Sequence, residues 1–284
     1  LRGLIAPPRL GLSPVASILI AAIFIAFIVS PSSADDNFAL KATLDYRLAY
    51  VLTGDPEVDA MSKAGLSGLT HALKERTAVE PGEPMALDVE SDELAFFPFI
   101  YWPVTNNQAQ LSAAALAKVD FFMRNGGTII FDTRDQDTAM PLATGSAARG
   151  SVILRRLLAG LDVPPLQLLT QEHVLSRTFY LLREYPGRWA SGRVWIEARQ
   201  ASDDGSSSTT ASDGVSPIIV GAADWAAAWA KDADGHALAA VVPGGERQRE
   251  IAMRFGINLV MYNLTGNYKA DAVHTSHILE RLGQ

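Results

Sequence analysis

Asp271, His274 and His277 place a carboxylate and two imidazoles within seven positions near the end of the chain. These are ligand types that a divalent cation accepts, and on a helix His274 and His277 share a face. The spacing is not that of H-E-x-x-H, and no acid stands at the inner position to act as a general base. A helix cap at Asp271 with locally bonded imidazoles is therefore the competing reading. A second concentration of charge follows the apolar run Thr128-Ile129-Ile130-Phe131, where Asp132-Thr133-Arg134-Asp135 begins abruptly. Asp132 and His274 are the candidate catalytic residues of a metal- or carboxylate-dependent hydrolase that would use them with Asp271 and His277 on a sugar or cell-wall substrate. Alternatively, Asp132 belongs to a solvated loop with a surface ion pair.

Other templates fail. Gly65-Leu66-Ser67-Gly68-Leu69 departs from the nucleophile elbow G-x-S-x-G at its last position and lies in a helical pattern rather than on a strand-to-helix turn. There is no G-x-G-x-x-G, and Gly244-Gly245 lacks the Lys-Ser/Thr of a phosphate-binding loop. The chain contains no cysteine, which removes disulfides, thiolate metal sites and cysteine nucleophiles together.

Periodicity and punctuation give the elements that would position these groups. Leu48 to Thr53 reads as a strand, and Asp55-Pro56-Glu57 then supplies an N-cap, a first-turn proline and an acid. Val58, Met61, Gly65, Leu69 and Leu73 give the following helix one apolar face as far as about Arg76. Phe99 to Trp102 reads as a buried strand, Ser112 as the cap of a helix that Gly126-Gly127 stops, and Thr128 to Phe131 as the next strand. Ile153, Leu154, Leu157, Leu158 and Leu161 mark a third amphipathic helix broken by Pro164-Pro165. Further strands are expected at Arg193–Ala198, Pro217–Val220 and Ala237–Val242, and a last long helix at about Glu246–Leu264, ended by Gly266. Trp225 and Trp229 lie four apart on an expected helix. Strands alternating with helices imply a three-layer α/β fold, a mostly parallel sheet with helices on both faces. In such sheets ligands bind beyond the carboxyl ends of the strands. The expected ligand-binding residues are accordingly Gly54, Asp55, Trp102, Asp132, Arg134, Asp224 and Trp225, joined by Asn267, Tyr268 and Lys269 in the last segment.

Residues 10 to 34 carry no charge, and Val15 to Val29 is apolar except for Ser17. About 20 residues are needed to span a bilayer, so the segment reads as one transmembrane helix. The alternative is a secretory signal, with Arg2 and Arg9 as its basic start and Ser32-Ser33-Ala34 as a cleavage site. Arginine before the segment and Asp35-Asp36 after it place the remainder on the periplasmic side of the inner membrane, anchored or released there. The whole chain of 284 residues has 24 Lys+Arg against 31 Asp+Glu, a net charge of -7. Both basic residues of the first 34 are arginines and no acid is among them, so the remainder holds 22 bases against 31 acids, or -9. That balance excludes general nucleic-acid binding and repels an anionic lipid surface. The expected organisation is a stub and apolar helix over 1–34, a linker over 35–44, and one α/β domain over 45–284 with a polar Asp/Ser/Thr/Gly insertion at about 201–214.

Leu44-Asp45-Tyr46 with LAYVLTGD, the block LSAAALAKVDFFMRNGGTIIFDTRD, SPIIVGAADWAAAW and above all RFGINLVMYNLTGNYKADAVH resemble the family catalogued as domain of unknown function 4159. Its members resemble the carboxyl-terminal part of BatA-like aerotolerance-regulator membrane proteins of bacteria. A chain opening on Leu1 fits such a piece of a longer polypeptide. The resemblance implies a class I glutamine-amidotransferase-like fold. Amidotransferases of that class use a Cys-His-Glu triad, and this chain has no cysteine, so that activity is not expected. The expectation is a non-catalytic ligand- or protein-binding module in a cell-envelope assembly, without a cofactor, taking protein partners and a small-molecule or sugar ligand. The hydrolase, with a divalent metal at Asp271, His274 and His277, is the alternative.

Overall fold

The computed structural model describes residues 38, 41–42, 45–135, 149–190, 192–198 and 215–282, the last of these without the side chains of 266–282. The chain divides into two compact units, 1–41 and 42–284. The apolar segment 10–34, most of the linker 35–44 and the insertion 201–214 lie outside the described residues. Among the described residues no helix is long and apolar enough to cross a membrane.

In the second unit the chain enters a sheet at β1 (Ala49–Val51), every residue of which is buried. Helix α1 (Pro56–Arg76) starts where the sequence says it should. The Asp55 side chain accepts from the N–H groups of Glu57 and Val58, and Pro56 occupies the first turn. Thr53 closes the junction by donating its N–H and hydroxyl to Asp59 Oδ1 at 2.9 and 2.8 Å. Next come β2 (Met85–Leu87), β3 (Phe99–Pro103), α2 (Ala113–Arg124) and β4 (Thr128–Asp132). Ser112 caps α2 through Ala115 N–H, and its hydroxyl donates to Glu90 at 2.6 Å. Helix α3 (Arg149–Leu157) leads to β5 (Leu166–Leu168), β6 (Trp195–Glu197), β7 (Ile218–Gly221), the short α4 (Trp225–Trp229) and the long α5 (Gly245–Leu282).

The sheet has seven strands in the order β2-β1-β3-β4-β7-β6-β5. Strands β2, β1, β3, β4 and β7 are mutually parallel, and β6 runs antiparallel to both of its neighbours. Side chains alternate across the pleat. Tyr50, Phe99, Tyr101, Ile130, Ile196 and Ile219 point to one face, where they join Leu66, Leu69 and Leu73 of α1, Trp225 and Trp229 of α4, and Phe255 and Leu259 of α5 in one core. The alternate set, including Ile100, Trp102, Ile129 and Phe131, is equally buried but stands outside that core. The expected α/β fold with a mostly parallel sheet is therefore present.

Glycine sets the spacing of the first helical layer. A Cβ added at Gly65 or Gly68 of α1 would strike the backbone of Ala226 or Trp229 in α4, and one at Gly256 of α5 would meet Leu69 and the Trp229 ring. The near-elbow Gly65-Leu66-Ser67-Gly68 is thus a helix-packing surface in mid-helix.

Among its described side chains helix α5 carries four buried polar ones, Gln248, Arg249, Asn258 and Asn263, and each fastens a neighbouring segment. Gln248 donates to the carbonyls of Gly187, Arg188 and Val242. Arg249 caps the end of α4 through Ala228 O. Asn258 exchanges three hydrogen bonds with Leu175 and Tyr180. Asn263 donates to Pro98 O and Thr128 Oγ1.

Two expectations are corrected. Ala237–Val242 is not a sheet strand; its only strand-type pairings among the described residues are the isolated bridges Lys231↔Ala237 and Trp189↔Val242. Val241 reaches the core while Leu238 and Val242 are half exposed, so the apolar run is a loop anchored at one residue rather than a buried strand. The last helix does not stop at Gly266 but continues to Leu282. An internal glycine costs a helix only about 1 kcal/mol and ends it only by turning left-handed. The three-residue strands β2 and β5 were not expected at all.

Candidate functional site at the carboxyl edge of the sheet

Asp132 ends β4 in register with Pro103 of β3 and Gly221 of β7, at the carboxyl edge of the parallel strands, and is fully buried. Each of its oxygens accepts two hydrogen bonds. Oδ1 takes the N–H groups of Arg134 at 3.1 Å and Asp224 at 3.2 Å. Oδ2 takes the Trp225 N–H at 2.7 Å and the Tyr101 hydroxyl at 2.9 Å. The four lone-pair directions of the carboxylate are thus filled by the chain itself.

The loops around this carboxylate bend to deliver those donors. Arg134 and Asp224 have positive φ, 56° and 55°, and are the non-glycine residues that do so among those described. Bulky side chains pay for that conformation, which persists where surrounding contacts over-determine it. Asp224 stands at the N-cap position of α4 yet makes no cap bond there. Its carboxylate, 4% exposed, instead meets Arg134 Nε at 3.2 Å and Arg188 Nη1 at 3.5 Å. Arg188 arrives on the segment Tyr185–Trp189. That segment is held by Arg188 N–H to Asp224 O and Trp189 N–H to Ala223 O, both at 3.2 Å, and by Gln248 from behind. Gly221 lets the Trp225 ring lie over the end of β7, where any Cβ would collide with it.

Burial pushes the Asp132 carboxyl up to about 6, and the charge of Asp224 adds to this, while the bonds from Trp225, Tyr101 and Asp224 pull it down. The Tyr101 hydroxyl is held well above its ordinary value, first by burial and then by the charges of Asp132 and Asp224. Burial works against the Arg134 charge, but the charges of Asp224, Tyr101 and Asp132 together with the hydrogen bond to Asp224 outweigh it and its pKa is raised.

The structure therefore brings together Asp132, Arg134, Asp224 and Trp225 from the expected set. Asp135 serves another contact, accepting from Thr133 Oγ1 at 2.7 Å and Gly150 N–H at 2.8 Å to tie the loop to α3. Gly54, at φ 79°, forms the exposed turn after β1, and Asp55 is occupied as the α1 cap. Trp102 lies within β3 with its ring 5.2 Å from Phe131, on the sheet face away from Tyr101. The side chains of Asn267, Tyr268, Lys269, Asp271, His274 and His277 lie outside the described residues. Their helix begins beside Gly187 and Arg188 at the carboxyl edge, and by Asn263 it has reached Pro98 and Thr128 at the amino edge. Asp232, Asp234 and His236 sit together on an exposed turn, where Asp232 Oδ1 accepts the N–H groups of Asp234 and His236.

Sequence reasoning missed Tyr101 and Arg188. Tyr101 sits in an aromatic run that reads as core, and only its register beside Ile130, two residues before Asp132 on the same face, gives it a partner. Arg188 comes from an irregular segment, and no local pattern ties it to Asp224.

The family model described as Domain of unknown function (DUF4159) matches residues 47–264. No curated protein matches the chain.

Proposed function

The chain belongs to the DUF4159 family, and from that premise we propose that it is a non-catalytic binding module of amidotransferase-like architecture, held at the cell envelope with its α/β part outside the cytoplasm. The observation that carries the reading is the saturation of Asp132. Asp132, the one fully buried carboxylate among the described residues of the expected site, spends every acceptor position on Arg134, Asp224, Trp225 and Tyr101. It has none left for a metal, a water or a substrate proton. Nucleophiles fail as well: the sequence has no cysteine, and Ser67 sits in the middle of α1 between glycines that pack against α4. Envelope attachment rests on the uncharged segment 10–34 between Arg9 and Asp35. The BatA-like context favours protein partners there.

Metal content and melting temperature of the full chain, beside a His274→Ala, His277→Ala double variant, test this reading. The expected result is sub-stoichiometric metal, no shift on adding zinc or manganese, and no hydrolysis of ester, phosphoester or glycoside substrates. Stoichiometric metal with an upward shift lost in the double variant would replace the binding module by a metal-dependent hydrolase.

A further inference from the structure

Two guanidinium groups converge on the single carboxylate of Asp224, beside the buried carboxylate of Asp132. Arg134 reaches it through Nε and Arg188 through Nη1. Each guanidinium carries five N–H donors, so most of the donor capacity of the pair is unspent. Arg188 Nε is buried and has no acceptor among the described residues, which is costly for a cationic donor unless something completes it. The pair is also fixed in place. The Arg188 guanidinium stacks 4.9 Å over the Trp189 ring, its backbone is bonded on both sides, and Arg134 is turned toward Asp224 by its left-handed backbone. Both heads remain reachable, with side chains 25% and 37% exposed over an Asp224 that is 4% exposed. They stand at the carboxyl edge of parallel strands, where α/β sheets receive ligands.

We propose that Arg134 and Arg188 form the receiving end of a small-oxyanion site, taking a carboxylate or phosphate group of a ligand, with Asp224 setting the angle between the two forks. This rests on the binding-module reading and gives it a ligand class. Planar guanidinium forks match carboxylate and phosphate oxygens two at a time, which an ammonium cannot do.

The test is titration of the full chain in detergent micelles with inorganic phosphate and, separately, with glutarate, at constant ionic strength against chloride. The expected result is saturable binding of one probe with a rise in melting temperature, and the tighter probe identifies the group. Arg188→Lys and Arg134→Lys keep a positive charge on Asp224, and each should weaken binding by about tenfold or more with little change in the melting temperature of the free protein. Should either variant melt far below the parent, protection of both arginines of the parent from phenylglyoxal by the bound probe, read by peptide mass, supports the site; equal labelling with and without the probe overturns it. No saturable response to either probe, or lysine variants that bind as the parent does, also overturns it. Hydrolysis of a phosphomonoester or carboxylic ester that is lost in both lysine variants would sink the non-catalytic reading while leaving the arginine site standing. Silent probes beside silent substrate screens would do the reverse.

Discussion

Asp132 concentrates the consequences of single-residue change. In Asp132→Asn the amide nitrogen fits best at the Oδ2 position, where Tyr101 can turn from donor to acceptor but the Trp225 N–H is left facing another donor. A buried orphan amide of that kind costs about 1–3 kcal/mol, and chemical denaturation should show a loss of that order. The same carboxyl shapes the pH response. Its folded pKa of about 6 lies above its ordinary 3.8, so between these values the folded state binds the extra proton and the unfolded state does not. Its contribution therefore favours folding fully below about pH 4 and declines as the pH rises to 6, by about 3 kcal/mol in all. Melting curves of the parent should carry that falling slope between pH 4 and 6, and those of Asp132→Asn should lack it. A difference between parent and variant that rises through the same window would contradict the assignment.

At the scale of elements, the glycines of α1 predict an asymmetry between neighbours. Gly65→Ala adds a methyl group against the Ala226 backbone, and overpacking of this kind costs about 1–3 kcal/mol even after the helix-propensity gain. Ser67→Ala, on the same helix but only partly buried, should move stability by less than about 0.5 kcal/mol. Asn258→Ala should cost about 2–4 kcal/mol by leaving partners at Leu175 and Tyr180 unpaired, with faster amide exchange in residues 174–182 as its signature. The starts of α1 and α2 and the four-residue run of β4 were legible because caps, a first-turn proline and a stopping glycine are local signals. Strands β2 and β5 were not, since three residues carry no period and only their neighbours in the sheet make them strands. The same division runs through the site. Asp132 and Asp224 stood out as charges following apolar runs, whereas Arg188 joins them through tertiary packing alone.

Across the whole molecule, charge and layering point the same way. With 22 bases against 31 acids after residue 34, residues 35–284 should fail to sediment with anionic phospholipid vesicles at low salt, while the full chain should partition into them. Sedimentation of the shorter chain would assign membrane attachment to the folded unit itself. The glycine contacts among α1, α4 and α5 carry a last consequence for how this protein can change over time. Where side chains separate two helices, their sizes can be traded, one growing as its neighbour shrinks. At Gly65 and Gly68 the opposing surface is main chain, which has nothing to trade. A side chain added at either glycine must therefore push the two helices apart as whole bodies, whereas the loops at the sheet's carboxyl edge can change without moving them.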